Sequence, residues 1–142
     1  MPIWFFYALT AAIALGSADF FVKMASGKIS NSIALLIFGV CTVLVGFTWV
    51  AGQRIQGTPQ HVEVAGFWWA VAVGLAFTTV TIALYATFST GAPISTVSPF
   101  IRVGGLLLAS LAGIILLREP FTLRYALGIA LAIAGIYLII TR

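Results

Sequence analysis

Apolar positions in this chain run on without the two-residue alternation of a half-buried strand or the polar stripe of a soluble helix. Five such runs, at about 2–24, 32–52, 64–88, 93–117 and 121–141, are separated by short polar breaks. A hydrocarbon core about 30 Å thick takes about 20 helical residues to cross, so each run predicts a membrane-spanning α-helix. A transmembrane barrel would instead read as short strands of alternating polarity, and the continuous runs exclude it. The pattern therefore predicts an all-α fold, a polytopic membrane helical bundle with five transmembrane helices, forming one domain over residues 1–142. The longest break, about Gln53 to Glu63, is too short to fold alone.

Composition sharpens this reading. The chain is 62% hydrophobic and 7% charged, against about 25% charged in soluble domains, so the lipid bilayer is its first partner. A net charge of +4 could suggest nucleic acid. The basic residues are scattered one or two per helix end, however, whereas a nucleic-acid footprint would cluster them on one face. No nucleic-acid partner is expected. Five spans put the two termini on opposite sides, with Arg54, Arg118 and Arg124 on one side and Lys23, Lys28 and Arg142 on the other. Orientation follows an excess of Lys and Arg in short cytoplasmic loops, and three against three gives no excess. The balance points to a chain that inserts both ways up and pairs with an inverted copy of itself. Met-Pro-Ile-Trp offers no basic segment ahead of the first run, which is also long for a signal peptide; it is read as a permanent span. Cys41 is the single cysteine and lies inside the second run, where a thiol acts as a small hydrophobe.

The breaks carry recognisable signals. Trp4, Phe5, Phe6 and Tyr7 open the first run as an interfacial aromatic belt, with Trp49, Trp68 and Trp69 near later span ends. Ser30, Asn31 and Ser32 offer capping oxygens to the second span, and Thr122 to the fifth. Glu119, just before the fifth run, suits the positive end of a helix. Gly105, Ala109, Gly113, Gly128 and Ala132 recur at four-residue spacing in the last two spans. Such small-residue ladders let membrane helices approach closely, either within one chain or between chains.

Three charges fall within the runs rather than at their tips: Asp19, Lys23 and Arg102. Each costs about 2.5–3.5 kcal/mol at a span centre on insertion scales, so such groups pair or face water. Asp19 and Lys23 are one turn apart in the favourable acid-first order. Asp19 and Arg102 overlap in depth, since the first span ends and the fourth begins on the same side. Asp19 thus pairs with Lys23 or with Arg102, and Lys23 can also snorkel to the headgroups. Thr78, Thr79 and Thr81, with Tyr85 a turn later and Ser98 in the fourth span, could line a substrate path. The threonine hydroxyls could equally bond back to their own helix, and Tyr85 could be an interface anchor. The candidate substrate-binding or coupling residues are Asp19, Lys23, Thr78, Thr81, Tyr85, Ser98 and Arg102. His61, the one histidine, has no second ligand at metal spacing, and no nucleophile–base constellation or phosphate loop assembles. Neither enzyme activity, metal nor cofactor is expected.

The stretch "GAPISTVSPFIRVGGLLLASLAGIILLREPFTLRYALGIALAIAGIYLII" resembles the second half of an EamA-type domain of the drug/metabolite transporter superfamily. The residues that carry the likeness are Ser98-Pro99, Arg102, Leu117-Arg118-Glu119, Thr122, Leu127-Gly128-Ile129 and Gly135, with Gly16 and Lys23 in the opening span. Asp19 has no clear counterpart in the pattern. Members that look like this sequence carry two five-span halves in opposite orientations, and this chain is similar to one half. The resemblance implies a secondary transporter or exporter of small metabolites or drugs, in a bacterial or archaeal inner membrane. An inverted pair around a midplane site is a common transporter plan, so an antiparallel, dual-topology homodimer would work by alternating access on a small-molecule substrate. The alternative is a non-catalytic membrane subunit, or a lipid-carrier flippase subunit, working with a partner membrane protein.

Overall fold

The computed structural model describes residues 2–141, and Arg142, counted above among the flanking charges, lies outside them. It is helical throughout, with α1 (Ile3–Ala25), α2 (Asn31–Ile55), α3 (Val64–Ser89), α4 (Ile94–Leu116) and α5 (Leu123–Ile140). Among the described residues there is no strand. All five helices are long and apolar enough to cross a membrane. Lipid offers no hydrogen-bond partners, so a spanning segment must satisfy its backbone internally, and a helix does so residue by residue.

Helix ends differ from the sequence expectation where the polar residues are not breakers. Gln53, Arg54 and Ile55 extend α2 by three residues beyond the predicted 52. The helix stops where Gly57 takes φ +71, a conformation that costs glycine nothing. Ser30 occupies the N-cap of α2 in extended conformation, yet its side chain makes no cap hydrogen bond, which corrects the capping expectation there. Thr122 does cap α5, accepting from the Tyr125 N–H at 3.3 Å.

The chain divides into two contact units. Unit 1 takes α1 up to Asp19, with α4 and α5; within it α4 packs on α5. Unit 2 takes Phe20–Gly91, which is the end of α1, α2 and α3; within it α2 packs on α3. Burial is sparse in both. Unit 2 buries Ala34, Leu84 and Phe88, and unit 1 buries Asp19 and Gly113. Large apolar side chains such as Leu36, Phe47, Leu108 and Leu131 are exposed along the helices. For an integral membrane protein these side chains meet lipid or another transmembrane surface.

The α4–α5 turn holds a backbone feature invisible in the sequence. Arg118 sits at φ +55, the one non-glycine among the described residues with positive φ. The turn ends α4 through bonds from the Leu117 and Glu119 N–H groups to the Gly113 carbonyl, at 3.2 and 3.1 Å. Glu119 lies ahead of the first turn of α5, which begins at Leu123. The expected role at that helix start is therefore corrected. Its carboxylate instead lies over Gly113, where an added Cβ would come within 2.6 Å of Oε2.

Candidate functional site

Unit 1 carries a charged cluster inside its spans. Asp19 and Leu15 sit one turn apart on α1, and Ser98 and Arg102 one turn apart on α4. That spacing aims each pair from a single helical face. Arg102 Nη2 donates to Asp19 Oδ1 at 2.6 Å and to the Leu15 carbonyl at 3.3 Å. Ser98 Oγ donates to the other carboxylate oxygen, Oδ2. Both carboxylate oxygens of a residue that is only 2% exposed are thus satisfied, by one charged and one neutral donor. A buried charge is tolerable only when paired and hydrogen-bonded in this way.

Depth explains why the partner is on another helix. Arg102 lies eight residues beyond the start of α4, or about 12 Å at the helical rise. Asp19 lies six residues before the end of α1, or about 9 Å by the same rise. Neither reaches the headgroups easily, so each holds the other. Pro99 lies between Ser98 and Arg102 inside α4. It has no N–H to offer the carbonyl four residues back, so the helical ladder is interrupted at the level of the site.

The two members of the pair are unequally covered. The Arg102 side chain is 36% exposed, against 3% for Asp19. Asp19 is the fixed, enclosed partner, and Arg102 is the one that reaches the surface.

In unit 2 the remaining candidates are arranged differently. The Lys23 ammonium lies 5.5 Å from the centroid of the Phe88 ring, a cation–π distance. Thr78, Thr79 and Thr81 donate to the carbonyls of Gly74, Leu75 and Phe77 on their own helix, at 2.8–2.9 Å. Their hydroxyl protons are therefore spent locally. Tyr85 contributes its backbone carbonyl, which accepts from Ser26 Oγ at 3.4 Å. Thr78 also lines an apolar groove of about 730 Å³ between α2 and α3, with Phe38, Gly39, Val43 and Phe77.

Of the small-residue ladder, Gly105 and Gly128 have nothing within 4 Å of an added Cβ, whereas Gly113 is covered by Glu119. Ser98 is the member of the polar cluster hardest to single out in the sequence, because Ser95 and Thr96 stand beside it. Only the one-turn spacing from Arg102 distinguishes it. Among the described residues no group of His, Cys, Asp and Glu could hold a metal ion.

Five apolar helices with charges paired inside them define an integral membrane protein. The chain belongs to the EamA-like transporter family, which matches residues 2–141, and its five helices correspond to a single half-unit of that family. That membership makes it a membrane transporter of the drug/metabolite superfamily, a family that is generally non-enzymatic. No curated protein and no solved structure matches it significantly.

Proposed function

We propose that this chain exports small metabolites or drugs across a bacterial or archaeal cell membrane, as an antiparallel homodimer working by alternating access. The observation that carries the reading is the exposure of Arg102. A charged side chain 36% exposed about 12 Å into a span cannot be left facing lipid, where a charge is strongly disfavoured. It needs a water-filled cavity, and a second copy facing it would enclose one. The three-against-three flanking charges support an inverted second copy, and the exposed apolar helices leave ample surface for it. Asp19, Ser98 and Arg102 then form the polar wall of the path. Lys23 stands a turn beyond Asp19, and Thr78, Thr81 and Tyr85 are secondary candidates.

The test is reconstitution. Proteoliposomes containing only this chain should show solute flux, and cross-linking should recover a dimer with opposed termini. Flux that appears only when a second membrane protein is added would favour the subunit reading instead.

A further inference from the structure

We infer that the groove between α2 and α3 is a binding site for an anionic phospholipid of the bilayer, with an acyl chain in the groove and the headgroup at Lys28. The inference uses unit 2 alone and goes beyond the transport reading. Along α2 the groove is lined from Ser32 to Leu44, a length of about 18 Å at the helical rise. It starts at the membrane edge, since Ser32 is the second residue of α2. One leaflet of a hydrocarbon core about 30 Å thick is about 15 Å deep. The groove therefore has the depth of one leaflet, where a spanning helix of a second copy would need one about twice as long. Spread over that length, about 730 Å³ gives a section of about 40 Å², about half that of a helix about 10 Å across. Hydrocarbon carbons pack about 4 Å apart, so an extended acyl chain fits where a helix does not.

The walls suit hydrocarbon and the open end suits an anion. No charged residue lines the groove, and its polar side chains are three hydroxyls. Thr42 donates to the Phe38 carbonyl at 2.9 Å and Thr78 to the Gly74 carbonyl at 2.8 Å, so neither has a proton left for an occupant. The third, Ser32, lies at the membrane edge. Lys28 stands four residues ahead of it, exposed in the turn between α1 and α2. Its ammonium joins no ion pair among the described residues, whereas Lys23 is engaged over the Phe88 ring. The one acidic residue of unit 2, Glu63, precedes α3 and so lies beyond the far end of α2. Lysine reaches headgroup level on its flexible stem, and basic groups at the membrane edge attract anionic lipid.

The experiment uses the full chain in dodecyl maltoside micelles with equal amounts of dioleoyl phosphatidylglycerol and dioleoyl phosphatidylcholine, which share acyl chains and differ in headgroup charge. Lipid retained per chain is counted by native mass spectrometry, and folding is followed by circular dichroism. Phosphatidylglycerol should be retained about fivefold over phosphatidylcholine, the effect of one basic group at an anionic surface. Lys28→Gln should remove that preference. Arg54→Gln, which removes a charge near the other end of α2, should keep it. Gly39→Leu fills the groove and should lower retention of both lipids. An added Cβ meets nothing within 4 Å at Gly39 or at Gly74, and leucine favours a helix more than glycine does, so the plugged helix should form. If Gly39→Leu does not fold, Gly74→Leu plugs the same groove from α3. Equal retention of the two lipids, or a preference that survives Lys28→Gln, would overturn the headgroup assignment and the inference with it. Unchanged retention in the plugged variant would overturn the groove as the site, and loss of a dimer there with lipid still bound would assign the groove to a second copy instead.

Discussion

Replacing Asp19 by Asn leaves the Arg102 guanidinium without its counter-charge about 12 Å into the span. Breaking a buried pair from one side typically costs about 3–5 kcal/mol. Because Arg102 is more than a third exposed, solvent screening brings the expected loss below that range, to about 2–3 kcal/mol. The further change Arg102→Gln should recover most of it, since no lone charge remains. Thermal unfolding in detergent measures both, and additive losses would mean that the two residues do not act as a pair. Arg118 offers a gain instead. Left-handed backbone costs a side-chain-bearing residue about 1–2 kcal/mol, and Arg118 pays that at φ +55. Arg118→Gly should therefore stabilise the protein by up to about 1 kcal/mol, read as a higher midpoint in the same assay. A lower midpoint would show that the arginine head makes an interaction worth more than the strain.

At the level of the helices, the hydroxyls of α3 are expected to matter little to stability. Thr81 donates to the Phe77 carbonyl of its own turn, so Thr81→Val should change unfolding by no more than about 0.5 kcal/mol, the range of changes remote from buried networks. Ser98→Ala removes a donor to a buried carboxylate, and should cost about 1–3 kcal/mol. A loss for Thr81→Val as large as that for Ser98→Ala would contradict this division between α3 and α4. The same division marks what the sequence could and could not disclose. The spans were legible because a bilayer demands about 20 apolar residues and tolerates few charges, so Asp19 and Arg102 stood out and their depths could be matched. The true end of α2 was hidden, since Gln53 and Arg54 are compatible with a helix and only the conformation of Gly57 stops it. Likewise Gly113 read as a rung of a packing ladder until the turn brought Glu119 over it. A four-residue spacing records which residues share a face, and says nothing of what comes to cover that face.

For the whole molecule the expectation concerns orientation. With three cationic residues flanking each side, a reporter fused to the C-terminus should give mixed topology at low expression. Two lysines added near Gln53 should drive the population one way, since flanking Lys and Arg set orientation. A single orientation in the unmodified chain would exclude the dual insertion on which the inverted homodimer depends. Arg118→Gly enters here as well. It removes one flanking charge and so should tilt the same population in the opposite direction to the added lysines, while raising the unfolding midpoint. One substitution then separates insertion from stability.

The bond from Arg102 to the Leu15 carbonyl has a genetic consequence. Every residue type supplies that carbonyl, so scanning position 15 with other apolar side chains will not reveal the contact. An α-helix advances about 100° per residue at 3.6 residues per turn. Inserting or deleting a single residue among Gly16, Ser17 and Ala18 would therefore rotate Leu15 away from the face that bears Asp19. Substitutions there would be tolerated where a one-codon change in length would not. A library that varies length as well as identity along α1 should show this as a narrow window, three residues wide, intolerant of indels and permissive of point changes.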